Sequence, residues 1–164
     1  MEADAPLTHQ DALALKTSLG QLESCLSLAL ESQGKQAINA LDSAHDIVAD
    51  LYEWQAAAPM PDLQAPLARI ARFITQCAGS LYRDGQLDQL DEAQLQRFIS
   101  RHGKSLLALD GVGPATARQL FQHGIFEAEQ LYALSPEEID RITPNSTTRS
   151  RLKALPTQDH QAGN

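Results

Sequence analysis

Between Leu63 and Leu81 the apolar residues Leu63, Leu67, Ile70, Ile74, Cys77 and Leu81 return at strict steps of four and three. Only an α-helix lines such positions along one face, and a helix with one apolar face must bury it against something else. The pattern repeats elsewhere in the chain. Leu15, Leu19, Leu22, Leu26 and Ala29 mark a helix from Thr8 to about Ser32, with Thr8 as its cap and Asp11 in its first turn. After a break at Gly34, the stripe Ile38, Leu41, His45, Val48 and Tyr52 runs to Gln55, and Pro59 and Pro61 stop it. The third segment, Asp62 to Tyr82, tolerates Pro66 only in its first turn and ends at Gly85. Asp91-x-x-Gln94 is a capping-box pattern opening a fourth helix that carries Leu95, Phe98 and Ile99 toward His102. Several such helices joined by short breaks predict an all-α fold, with residues 8–102 forming an antiparallel helical bundle.

Composition agrees. Of 164 residues 43% are hydrophobic, enough for a core, but only 5% are aromatic, so that core is built from Leu, Ala and Ile, which suit helix packing. The N-terminus has no basic stretch or apolar run of signal length, and no window reaches the eighteen apolar residues of a membrane span. A cytoplasmic protein with no membrane contact is expected. Cys25 and Cys77 stand alone within helical patterns, the spacing of free thiols and not of a disulfide or metal site. The net charge of −8 excludes a surface that binds nucleic acid all over. That acidity is uneven: residues 1–100 hold 6 Lys/Arg against 14 Asp/Glu, whereas residues 101–155 hold 7 against 6.

Residues 105–121 read as a helix that ends, a Gly111-Val112-Gly113 turn, and a new helix from Pro114. Gly111 and Gly113 are expected to supply backbone angles that a Cβ disfavours, Val112 to point into the core, and Pro114 to occupy the first helical position. Ala117 is small where two helices approach. The run Leu106, Leu109, Gly111, Val112, Gly113, Ala117 and Leu120 resembles the helix-hairpin-helix family, and the likeness continues through His123-Gly124-Ile125, Leu131, the Ser135-Pro136-Glu137-Glu138 capping box, Ile139 and Ile142. It covers residues 104–155, with a polar tail at 156–164 expected to be disordered. Where a second Gly-hydrophobic-Gly turn would stand, the chain has Thr143-Pro144-Asn145-Ser146, a degenerate second hairpin.

The resemblance implies a module that holds the DNA backbone without reading sequence, through turn amides and the positive end of the second helix. Carried onto this chain, the contacts are the backbone of Gly111, Gly113 and Ala115, the side chains of Thr116 and Arg118, and a second set from Arg149, Arg151 and Lys153. Pro114 has no N–H to offer. The competing expectation is a protein–protein adaptor whose hairpin is purely structural. The N-terminal helices are expected to dock a protein partner or a second copy of the chain.

Other constellations carry less. Asp42-x-x-His45-Asp46, with Asp50 and Glu53 on the same helix, has metal-like spacing, but no facing helix offers matching ligands, so a solvated acidic face and no cofactor are expected. Neither a Gly-x-Ser-x-Gly elbow nor a phosphate loop ending Lys-Ser/Thr occurs, and the five histidines are scattered. No enzyme is expected.

Overall fold

The computed structural model describes residues 7–143 and 146–154; the expected tail at 156–164, and Pro144 and Asn145 of the degenerate turn, lie outside the described residues. The fold is all-α, with no strand among the described residues. Two compact units divide the chain, Met1–Ile74 and Thr75–Asn164.

In the first unit α1 (His9–Glu31) and α2 (Gly34–Ala57) pack side by side. Two residues join them, so they run antiparallel. The Thr8–Asp11 capping box closes in both directions: Thr8 Oγ1 accepts from the Asp11 N–H at 3.1 Å, and the Asp11 carboxylate accepts from the Thr8 N–H at 3.2 Å. Such a cap contributes about 1 kcal/mol. α2 is the better buried of the two, through Ala37, Ile38, Ala40, Leu41, Ala44, Val48 and Leu51. Its expected stripe is off by one position at its end: Leu51 is buried whereas Tyr52 is 40% exposed. Small alanines at 37, 40 and 44 widen the buried face, so a single four-three line underestimates it. The Gln55 side-chain amide donates to the Met60 carbonyl at 2.6 Å and secures the link to α3 (Pro61–Arg83). Pro66 is the sixth residue of α3, beyond the expected first turn, and its missing N–H leaves the Asp62 carbonyl without an intrahelical donor.

The second unit takes up the rest of α3 with α4 (Glu92–His102), α5 (Lys104–Leu107), α6 (Pro114–Gln122), α7 (Ala128–Tyr132), α8 (Pro136–Ile142) and α9 (Ser146–Lys153). The division between the two units therefore falls inside α3. The physical reason is the core: Ile99 of α4 is buried together with Leu106, Ala117, Leu120 and Phe121, and Tyr82 of α3 and Leu95 of α4 pack against them. Tyr82 meets Phe121 edge-on at 5.7 Å, and Phe121 meets Phe126 edge-on at 5.2 Å. The helix ends follow the sequence signals. Asp91 and Gln94 close a reciprocal capping box at 2.8 and 3.0 Å, and so do Ser135 and Glu138 at 3.2 and 2.7 Å. Past the end of α6, Gly124 takes φ +78°, which lets the Ile125 N–H reach back to the Leu120 carbonyl at 2.9 Å and turns buried Ile125 into the core.

Candidate nucleic-acid interface

The turn between α5 and α6 is held by two backbone bonds, from the Leu109 N–H to the Leu106 carbonyl at 3.0 Å and from the Val112 N–H to the Leu109 carbonyl at 3.2 Å. Val112 is buried in the core, and Ala117 is fully buried where α6 joins it, both as expected. Gly111 has φ +83°, the left-handed region that residues with a Cβ avoid. A second constraint was not visible in the sequence: a Cβ on Gly111 would lie 3.2 Å from Cδ and 3.3 Å from Cβ of Arg151. The stem of Arg151, from α9, thus lies directly on the turn.

Gly113 differs from expectation. Its backbone is extended, φ −95° and ψ −179°, a conformation open to any residue, and a Cβ there would have nothing within 4 Å. Its consequence is chemical and not conformational. Gly113 is the N-cap of α6, and lacking a side chain it makes no capping hydrogen bond. Its carbonyl accepts from the Ala117 N–H at 2.9 Å, which opens the helix. Pro114 at the first position has no N–H, and the amides of Ala115 and Thr116 at the second and third positions cannot find an acceptor within the helix. Ala115 is exposed and Thr116 half-buried. Those donors, with the helix dipole behind them, form the positive end of α6.

The basic residues separate into two groups. Arg118 pairs with Glu92 of α4 at 2.5 Å, beside an open recess shared with Tyr82, Asp88 and Gln122. Arg149 donates from Nε and Nη2 to the Thr143 carbonyl at 3.2 and 3.0 Å and stands 3.4 Å from Asp140. Lys153, one turn along the same face, is 2.6 Å from the same Asp140 oxygen. Arg149 therefore closes the end of α8. Thr143, completely buried, also donates its hydroxyl to the Ile139 carbonyl. Arg151 is exposed, and among the described residues no carboxylate engages it. Of the eight expected residues, Gly111, Gly113, Ala115, Thr116 and Arg151 belong to one turn and its surroundings, while Arg118, Arg149 and Lys153 are committed to carboxylates.

Two features escaped the sequence reading. Glu92 and Asp140 are the counter-charges that decide which basic residues are available, and neither spacing nor composition marks them out. Exposed Asp110, immediately before Gly111, places a negative charge beside the turn.

Elsewhere, His45 Nδ1 lies 3.6 Å from Asp46 on α2, and among the described residues no three His, Cys, Asp or Glu side chains gather as a metal site. Among those residues no helix is long and apolar enough to cross a membrane. Burial pushes the Cys77 thiol pKa up. No protein-family model matches the chain, and no curated protein and no solved structure matches it either.

Proposed function

We propose that this chain is a non-enzymatic, cytoplasmic accessory protein whose second unit contacts a nucleic-acid backbone without sequence specificity, and whose N-terminal helices dock a partner or a second copy. The observation that carries the reading is the position of Arg151. Its aliphatic stem lies on Gly111, which brings an exposed guanidinium to the same turn as the uncapped start of α6. A phosphate there would accept from the Ala115 and Thr116 amides and pair with Arg151, a combination of helix-terminus and charge-assisted hydrogen bonds. The helix-hairpin-helix resemblance supports the same use of the turn.

With one cation at the site and Asp110 beside it, few counterions are released per copy and affinity is low at physiological salt. The test is a salt-dependent anisotropy titration with duplex and single-stranded DNA. Arg151→Glu is expected to weaken binding uniformly across sequences and to reduce the salt slope by about 1. Equal binding by wild type and Arg151→Glu at low salt refutes the phosphate reading. A second reading, a protein adaptor with a structural hairpin, draws support from the pairing of Arg118 with Glu92 and of Arg149 and Lys153 with Asp140, which leaves little positive charge for a polyanion.

A further inference from the structure

α1 is a long helix with an unusual burial pattern. Of its 23 residues only Leu22 is fully buried, while Leu13, Leu28 and Leu30 are 58%, 42% and 64% exposed. An open, mainly apolar groove runs along one flank, lined by Ala12, Leu15, Leu19 and Gly20 of α1 together with Leu7 and Met60. Lys16 and Glu23 stand on its rim, seven residues and hence two turns apart on the same side of the helix. Midway between them, Gly20 leaves space: a Cβ there would meet nothing within 4 Å.

We infer that the occupant of this groove is α1 of a second copy, the two helices antiparallel about a two-fold axis at Leu19–Gly20. The inference rests on the docking half of the function proposed above and names its partner. The charges select both the partner and the direction. About that axis Lys16 of each copy faces Glu23 of the other, and Leu19 of each lies over the Gly20 of the other, where the missing side chain admits it. A parallel pairing would set Lys16 against Lys16 and Glu23 against Glu23. A surface that complements itself under a two-fold rotation is the property of an isologous interface. Pairing would also cover the flank that α2 leaves exposed, joining two α1–α2 hairpins into a four-helix arrangement.

The test is a charge swap on the full chain, read by sedimentation equilibrium with circular dichroism as the check on folding. Both positions are exposed, so neither change disturbs a core. Wild type is expected at twice the 17.9 kDa chain mass, and Lys16→Glu or Glu23→Lys alone to weaken association about tenfold by converting two attractive pairs into two repulsive ones. The double variant, with both swaps, is expected to recover the dimer. A wild type that stays monomeric, or a double variant no better than the single ones, overturns the proposal. DNA titration of the same variants keeps the two readings apart: a monomer whose binding still depends on Arg151 removes only the dimer, and a dimer indifferent to Arg151 removes only the phosphate contact.

Discussion

Replacing Gly79 by Ala sets two effects of opposite sign against each other. Gly79 lies inside α3, and exchanging glycine for alanine in a helix interior stabilises by about 1 kcal/mol through backbone entropy. Here, however, the new Cβ would sit 2.2, 2.3 and 2.5 Å from three ring carbons of Phe126. Carbon atoms are comfortable at about 3.5–4.0 Å, so the ring would have to withdraw by more than about 1 Å. It has little room to do so. Phe126 is buried, its ring abuts fully buried Phe121 edge-on, and the Arg83 guanidinium stands 5.9 Å from its centroid. Overpacking of this kind costs about 1–3 kcal/mol, and disturbing the aromatic pair adds about 0.5–1.5 kcal/mol. The clash wins, with a net loss of about 0.5–3.5 kcal/mol after the helix gain is subtracted. For a unit of this size each kcal/mol lost lowers Tm by roughly 4–8 °C. Urea unfolding followed by circular dichroism measures it, and Gly79→Ala in a Phe126→Leu background, where the ring is gone, is expected to cost less, exposing the coupling between the two sites. If Gly79→Ala alone raises the urea midpoint at unchanged slope, the close approach of α3 to Phe126 is refuted.

At Gly113 the sign reverses. Serine fits the extended backbone and the open space there and supplies the missing cap, so Gly113→Ser is expected to add a few tenths of a kcal/mol of stability, read as a higher urea midpoint, while weakening DNA binding, because its hydroxyl occupies an α6 amide. Arg118→Ala or Glu92→Ala is expected to change stability by less than about 0.5 kcal/mol in the same assay, the pair being solvent-accessible. Because burial favours the neutral form of Cys77, its thiolate forms at higher pH in the native chain than in the unfolded one. Iodoacetamide labelling at about pH 8.5, read by peptide mass, is expected to be slower at Cys77 in the native chain than in urea. The linked stability is fully present below the unfolded thiol's pKa and is lost as pH rises toward the folded one.

The signals legible in the sequence are local ones. The cap at Thr8, the capping boxes at Asp91 and Ser135, the apolar stripe of α3 and the left-handed turn at Gly111 each depend on residues within a few positions of one another. What sequence order hides is long-range. Tyr82 joins the second unit because its ring meets Phe121, thirty-nine residues away, and no periodicity within α3 announces that its last turns have a different neighbour from its first. Gly113 departs from expectation for a related reason: Gly-x-Gly suggests two left-handed residues, but one positive φ at Gly111 completes the reversal and the extended backbone of Gly113 leads straight into α6.

Charge at the turn depends on contacts that sequence order does not show. The spacing of Arg149, Arg151 and Lys153 does fix a partition: positions four apart share a face, and the one between them points elsewhere. It does not say which face is neutralised. That depends on Asp140, placed on α8 so that it meets Arg149 and Lys153, and on Gly111, whose missing side chain admits the stem of Arg151 from forty residues further along the chain. A tally of basic residues therefore overstates what the proposed contact can use. With Arg118 held by Glu92 as well, a phosphate at the turn would meet one guanidinium and two amides. This is why the expected loss in salt slope on removing Arg151 is about the whole of what one copy has to lose.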